Sequence, residues 1–222
     1  MLLTPNWVLA RSLNIDTKGY ALGLLSKISR VGTSNRAIVG DILLGRDSGV
    51  VLNPGHQSSN FTINQWRFCF EDDRYDTLGN LVGSSVVVEY KTPKNSSLLT
   101  CSASNELIEV YRVIKYQALD KTQFVSDSLA LHGEISSGVE FGRIIKTKES
   151  RQQSKYYFLT LQIGNSGNLF RDLVTDDREL FYFAVECLKM AVKVRVHYIE
   201  RLPGVSQYGN TRLYVWKIEI ID

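Results

Sequence analysis

The strongest constraint on this chain is that its second half, from Gly142 to Tyr198, repeats a pattern already present in its first half. Gly142-Arg143-Ile144-Ile145-Lys146 lies over Gly23-Leu24-Leu25-Ser26-Lys27, and without a gap Gly164 then falls on Gly45. Phe170-Arg171 followed by Asp176-Asp177-Arg178 matches Trp66-Arg67 followed by Asp72-Asp73-Arg74 at equal spacing. Val194, Val196 and Tyr198 then answer Val86, Val88 and Tyr90. The first copy carries an insertion around His56 to Phe61, and the second is slightly longer before its last strand. Self-similarity over this length predicts duplication of one domain, with too few copies for a solenoid.

Each copy is long enough to bury a core of its own, since the chain has 222 residues, of which 44% are hydrophobic and 22% charged. The formal charge of +3 is mildly basic, which permits an anionic partner without requiring one. Cys69, Cys101 and Cys187 show no CxxC spacing, and the odd number leaves one unpaired within a chain. Cys69, in an apolar strand pattern, and Cys187, on a helix, read as buried thiols of a reducing compartment. Met1-Leu2-Leu3 is broken at once by Pro5 and Asn6, and no run reaches membrane-spanning length. The expected location is the cytoplasm.

Residues 1–18 read as an arm, 19–116 as a first barrel, 117–132 as a linker with a short element, and 133–222 as a second barrel. Period-two alternation places strands at Tyr20 to Ile28, Ala37 to Leu44, Phe61 to Phe70, Val86 to Tyr90 and Leu107 to Ile114. In the second copy, strands fall at Gly133 to Lys146, Tyr156 to Ile163, Val192 to Tyr198 and Arg212 to Ile221. The last alternates Leu213, Val215 and Lys217 against Tyr214, Trp216 and Ile218. Residues 45–60, with Asn53-Pro54-Gly55, form a long loop peculiar to the first copy, a place where binding often resides. Asp176 with Glu179 is an N-capping pattern opening a helix over 177–190, whose Leu180, Phe183, Ala184, Cys187 and Leu188 share one face. Five short strands with a helix before the fourth fit a small closed barrel, because closure removes exposed sheet edges. The fold expected is mainly β with minor α: two tandem small β-barrels, OB-like or SH3-like.

Gly23, Leu25, Lys27, Ser29, Gly32, Gly40, Asp41, Trp66, Phe68 and Tyr90 follow a Gly-x-Leu-x-Lys-x-Ser-x-x-Gly, Trp-x-Phe and closing-tyrosine pattern. In the second copy Gly142, Lys146 and Tyr198 continue it, with the ending Gly209-Asn210-Thr211-Arg212-Leu213-Tyr214-Val215. The pattern resembles that of small uncharacterised bacterial β proteins, often associated with the envelope. The resemblance implies an OB-like barrel and no catalytic residue. The chain departs from that family around Ala37 to Val39, and no signal or lipid anchor is expected.

Enzyme signatures are missing: no GxxxxGK[ST], no GxGxxG after a strand, no HExxH and no GxSxG. His56, His132 and His197 are scattered, which does not make a metal site, and no cofactor is expected. Asp72-Asp73 and Asp176-Asp177 stand where capping explains them better than acid–base chemistry. What remains is aromatic and basic residues on strands, the pairing that holds single-stranded nucleic acid. Trp66, Phe68 and Phe70 beside Arg67 are better explained as core. Tyr156, Tyr157, Tyr214 and Trp216, with Arg143, Lys146, Lys148, Arg195 and Lys217, form a second set, joined by Lys91 and Lys94 of a basic loop and His56 of the insertion. Two readings follow. A non-catalytic protein-binding or self-assembly module stands first, because the net charge is small, and single-stranded DNA or RNA binding is the alternative. Clustering of the cations on one face would decide for the second.

Overall fold

The computed structural model describes residues 17–31, 37–45, 65–92, 105–113, 121–127, 134–150, 156–164, 169–201 and 211–221. These are mainly β with two short α-helices. The first half supplies β1 (Thr17–Val31), β2 (Ala37–Leu44), β3 (Gln65–Cys69), a 3-10 turn (Asp72–Arg74), α1 (Tyr75–Gly79), β4 (Ser85–Thr92) and β5 (Glu106–Arg112). Then come β6 (Gln123–Val125), β7 (Glu134–Ser150), β8 (Tyr157–Ile163), β9 (Phe170–Thr175), α2 (Arg178–Lys189), β10 (Lys193–Arg201) and β11 (Leu213–Ile220). Residues 46–64 and 93–104, with His56 and Lys94, lie outside the described residues.

The strand pairings run in two rings. β1 pairs antiparallel with β4 through its N-terminal half and with β2 through its C-terminal half. β2 pairs with β3, β3 runs parallel to β5, and β5 returns to β4. β7 to β11 repeat this order: β7 with β8 and β10, β8 with β9, β9 parallel to β11, and β11 with β10. Matched details accompany the matched order. The ladder shifts register between Leu25 and Lys27 on β1 and between Ile144 and Lys146 on β7. Gly45 and Gly164 both turn with positive φ, 71° and 59°, which glycine adopts without a Cβ clash. Their N–H groups donate to the carbonyls of Leu22 and Phe141 at 3.0 and 2.8 Å. On the third strands the match is one residue off the sequence alignment. Ile42 faces Trp66 whereas Leu161 faces Arg171, so Arg171, not Phe170, stands where Trp66 does.

The rings are joined by antiparallel pairing of Thr17–Ala21 with Lys146–Ser150. Side chains on this shared wall alternate between two cores. Ala21, Val86 and Val88 enter the first with Leu25, Ile42, Trp66, Phe68 and Tyr90. Leu22 and Val87 point the other way, into the core formed by Leu159, Leu161, Leu173 and α2. The irregularity in β7 divides two neighbours likewise, Ile144 going to the second core and Ile145 to the first. This explains why α2 buries more than one stripe. Leu180, Phe183, Ala184, Cys187 and Leu188 are buried as their spacing predicts, but so are Phe181 and Val185, because α2 packs on β1 as well as on β7.

Several expectations are corrected. The N-cap of α2 is Asp177, not Asp176; its carboxylate accepts from the N–H groups of Glu179 (2.8 Å) and Leu180 (3.0 Å), a contribution of about 1 kcal/mol. Asp72 caps nothing and instead pairs with Arg30 at 2.8 Å. Cys187 is the buried free thiol expected, its pKa pushed up to about 12 chiefly by burial, but Cys69 is disulfide-bonded. The linker contributes β6, which pairs with β11. The alternation of β11 is broken where Trp216 bulges out of the ladder, so Leu213, Val215 and Ile218 face the core. Lys217 thereby changes sides. Among the described residues no helix is long and apolar enough to cross a membrane.

Ile145→Ala would empty a fully buried site in the first core from a strand belonging to the second ring. It is expected to cost about 2–5 kcal/mol in urea unfolding.

Candidate functional site

The outer face of the second ring is set by the pleat. On β8 the interior takes Leu159 and Leu161, which leaves Phe158, Thr160 and Gln162 outside. On β7, past its register shift, Lys146 and Lys148 stand opposite Thr160 and Phe158 and share that outer side. Val174 of β9 faces Phe158, and Tyr214 of β11 faces Val174, which carries the face across to the last strand. Tyr156, Phe158 and Trp216 pack as half-buried residues around Val174, Ile199 and Tyr214. A cluster of aromatic residues thus lies on the outer side of the second ring, packed over a small buried core of Val174, Ile199 and Tyr214.

Two lysines border it. The Lys148 ammonium is 5.9 Å from the Phe158 ring, and that of Lys146 is 6.0 Å from both Trp66 and Tyr90 at the adjoining opening of the first ring. Among the described residues neither ammonium has an ion pair. Burial, then repulsion by Lys148, lowers the Lys146 pKa, against a weaker pull from Asp172. Two like charges are therefore held side by side, one of them desolvated, with no ion pair to either among the described residues.

The other candidate residues are placed differently. Arg195, His197 and Lys217 surround one carboxylate, Glu219, at 3.1, 3.0 and 2.5 Å. Hydrogen bonds from Lys217, His197 and Arg195, in that order, hold the Glu219 carboxyl down at about 2. Arg195 and Lys217 are thus already partnered, and His197 is the half-exposed strand residue expected, 5.3 Å from the Trp216 ring. Lys91 pairs with Glu106 at 3.3 Å, far along the chain from this group. Arg143 is half-buried on β7. Tyr214 is buried beneath Arg201, whose guanidinium sits 4.1 Å above its ring, so it supports the face rather than presenting a surface. Tyr157 points inward and stacks on Phe181 at 4.6 Å.

In the first ring Trp66 and Phe68 are core, as expected, and Arg67 is clamped to the buried Asp41 carboxylate at 2.7 and 3.2 Å. Its outer face carries no comparable aromatic group among the described residues. A cleft of about 630 Å³ opens at the mouth of the second ring beside Phe170, Arg171, Asp172, Tyr198 and Glu200. Glu140 neutralises Arg171 there at 2.6 Å, and Asp172 and Glu200 outnumber the one other lining cation, Arg212, which does not suit an anion. Phe158, Arg201 and Glu219 were missed by sequence reasoning. Alternation from Tyr156 would have placed Phe158 beside it, whereas Glu219 gives no signal before the strands are paired. No group of three or more metal-ligating side chains occurs among the described residues.

No protein-family model matches the chain, and no curated protein matches it. Among solved structures it is similar to the wild-type single-stranded DNA binding protein from Thermus aquaticus, with 15% identity over 94% of this chain and 93% of that one, TM-score 0.25. It is also similar to part of a Replication Protein A heterotrimer bound to ssDNA, with 13% identity over 99% of this chain and 52% of that one, TM-score 0.29. A deletion mutant of the Thermus aquaticus protein gives 15% identity, 94% coverage of each chain and TM-score 0.25. At such scores the likeness carries no argument about fold or activity.

Because folding lowers the Lys146 pKa, the unfolded chain binds more protons in the window between the lowered value and the ordinary one, and stability rises with pH across it. Lys146→Met should be more stable than the wild type at neutral pH. The gap in melting temperature should narrow as pH rises into the alkaline range, measured by circular dichroism.

Proposed function

We propose that the chain consists of two OB-type barrels in tandem, derived by duplication of one domain, and that it binds single-stranded nucleic acid on the outer face of the second. The observation that carries this reading is the face itself: Tyr156, Phe158 and Trp216 lie outside the barrel beside Lys146 and Lys148, two cations with no ion pair among the described residues. Aromatic rings stack bases of any identity, and ammonium groups that lack a counter-ion gain most from phosphate. In an OB barrel the second and third strands and the loops beside them are the usual oligonucleotide surface. Here those strands are β8 and β9. The Glu219 group on β10 and β11 contributes less, since its cations are already neutralised locally. The clustering of unpaired cations with aromatics ranks nucleic-acid binding ahead of the protein-binding reading that the small net charge favours.

The test is fluorescence-anisotropy titration with labelled single-stranded DNA and RNA across a salt series. Binding is expected to be micromolar or tighter, to tolerate changes of sequence and to weaken as salt rises. Phe158→Ala should cost about 1–3 kcal/mol of binding, and Lys148→Ala should flatten the salt slope, while duplex DNA binds more weakly. Failure to bind at low salt would overturn the proposal.

A further inference from the structure

The junction between the rings is head-to-tail, and it leaves the complementary halves unused at the two ends of the molecule. The N-terminal half of β1 pairs with the C-terminal half of β7, Gly19 facing Lys148 and Tyr20 facing Thr147. The matching N-terminal half of β7, Ser136–Glu140, has β10 on one edge and no strand on the other among the described residues. The matching C-terminal half of β1, Lys27–Val31, has β2 on one edge and likewise none on the other.

The receiving edge is built twice. In the first ring Gly19 lies opposite Tyr90, and a Cβ on Gly19 would collide with the carbonyl oxygen of Thr147. The Tyr90 hydroxyl donates to that same oxygen at 3.2 Å. The glycine thus admits the incoming strand, and the tyrosine bonds it. In the second ring Gly138 lies opposite Tyr198, and a Cβ there would collide with the Tyr198 ring. The glycine–tyrosine pair is thus repeated, with the Tyr198 hydroxyl donating to Glu140 Oε1 at 3.4 Å, and among the described residues no strand occupies the edge. Beside it, Val139 and Phe141 are 53% and 47% exposed. Their counterparts Tyr20 and Leu22 are covered by α2 and its Lys189.

We propose that the occupant is a second copy of this chain, which adds its Lys27–Val31 segment antiparallel to Ser136–Glu140 and so repeats the internal junction between molecules. The internal register then sets Val139 against Ile28 of the second copy, an apolar contact, and brings its Lys27 beside Glu140, which already holds Arg171. A contact between unlike surfaces does not close after two copies; it propagates as an open chain or a larger ring. The inference rests on strand edges alone and is independent of nucleic-acid binding.

Sedimentation velocity without nucleic acid tests it. The wild type should give species at successive multiples of 25.1 kDa as concentration rises. In the first ring the Tyr20 N–H points across the junction, to Thr147 Oγ1 at 3.2 Å, so the Val139 N–H points out of the open edge. Val139→Pro removes that donor without breaking the ladder to β10, and it should sediment as a monomer with an unchanged circular dichroism spectrum. Val139→Lys, which places charge on the edge, serves if the proline variant does not fold. The double variant Ser137→Cys with Arg30→Cys should form a disulfide-linked ladder on oxidation that neither single variant forms. A wild type monomeric at its highest soluble concentration, a folded edge variant that assembles as well as the wild type, or a double variant without a ladder would each overturn the proposal.

Discussion

Everything in this molecule depends on a wall of strands buried on both faces. Where β1 and β4 meet β7, successive residues serve different cores: Ala21 and Leu22, Val86 and Val87, Ile144 and Ile145. Each large apolar side chain among them contributes about 1.5–3 kcal/mol of burial, and the share of Leu22, Val87 and Ile145, which enter the other ring's core, is not available to either ring alone. A strand with two apolar faces cannot stand at a surface. The wall therefore commits the two rings to one arrangement and fixes which way the outer face of β8 looks.

That commitment also accounts for the unlike helices. α1 has five residues and buries only Leu78, whereas α2 has twelve and buries seven of them. The longer helix packs on its own ring and covers Leu22 and Val87 of the neighbour. The buried Glu89 shows the electrostatic side of the same junction. It lies 2.6 Å from Lys18 and accepts from the Tyr111 hydroxyl at 3.1 Å, so its charge is partnered where water is largely excluded.

The two outer faces differ on a shared strand order. The first ring spends its cation on the buried Asp41, and its aromatic residues Trp66 and Phe68 fill the interior. The second fills its interior with Leu159, Leu161 and Leu173 and places Phe158 and Trp216 outside. At the position of Trp66 it has Arg171, held by Glu140. The functional asymmetry proposed for the two rings thus comes from which side of the pleat the aromatics occupy, not from how many there are.

Much of this was legible beforehand. Period-two alternation located β2 to the residue, the glycines Gly45 and Gly164 marked matched turns, and helical spacing picked out the buried face of α2, because these signals are local. The aromatic face was only half legible. Trp216 and Lys148 stood out by composition, and alternation set Trp216 on the side of Tyr214, but the bulge at Trp216 that turns Ile218 inward and Lys217 outward arises from the pairing of β10 with β11, which no single strand encodes. Likewise Asp177 rather than Asp176 caps α2 because its position at the end of β9 lets the Ser126 hydroxyl reach the other carboxylate oxygen at 2.6 Å. The sequence by itself determined the strands, their repeat and the inward residues of each, since alternation and turn chemistry act over a few residues. Only the tertiary structure decided which cations are neutralised, which aromatics lie outside and which edges stay open, because those depend on strands far apart in the chain being brought side by side.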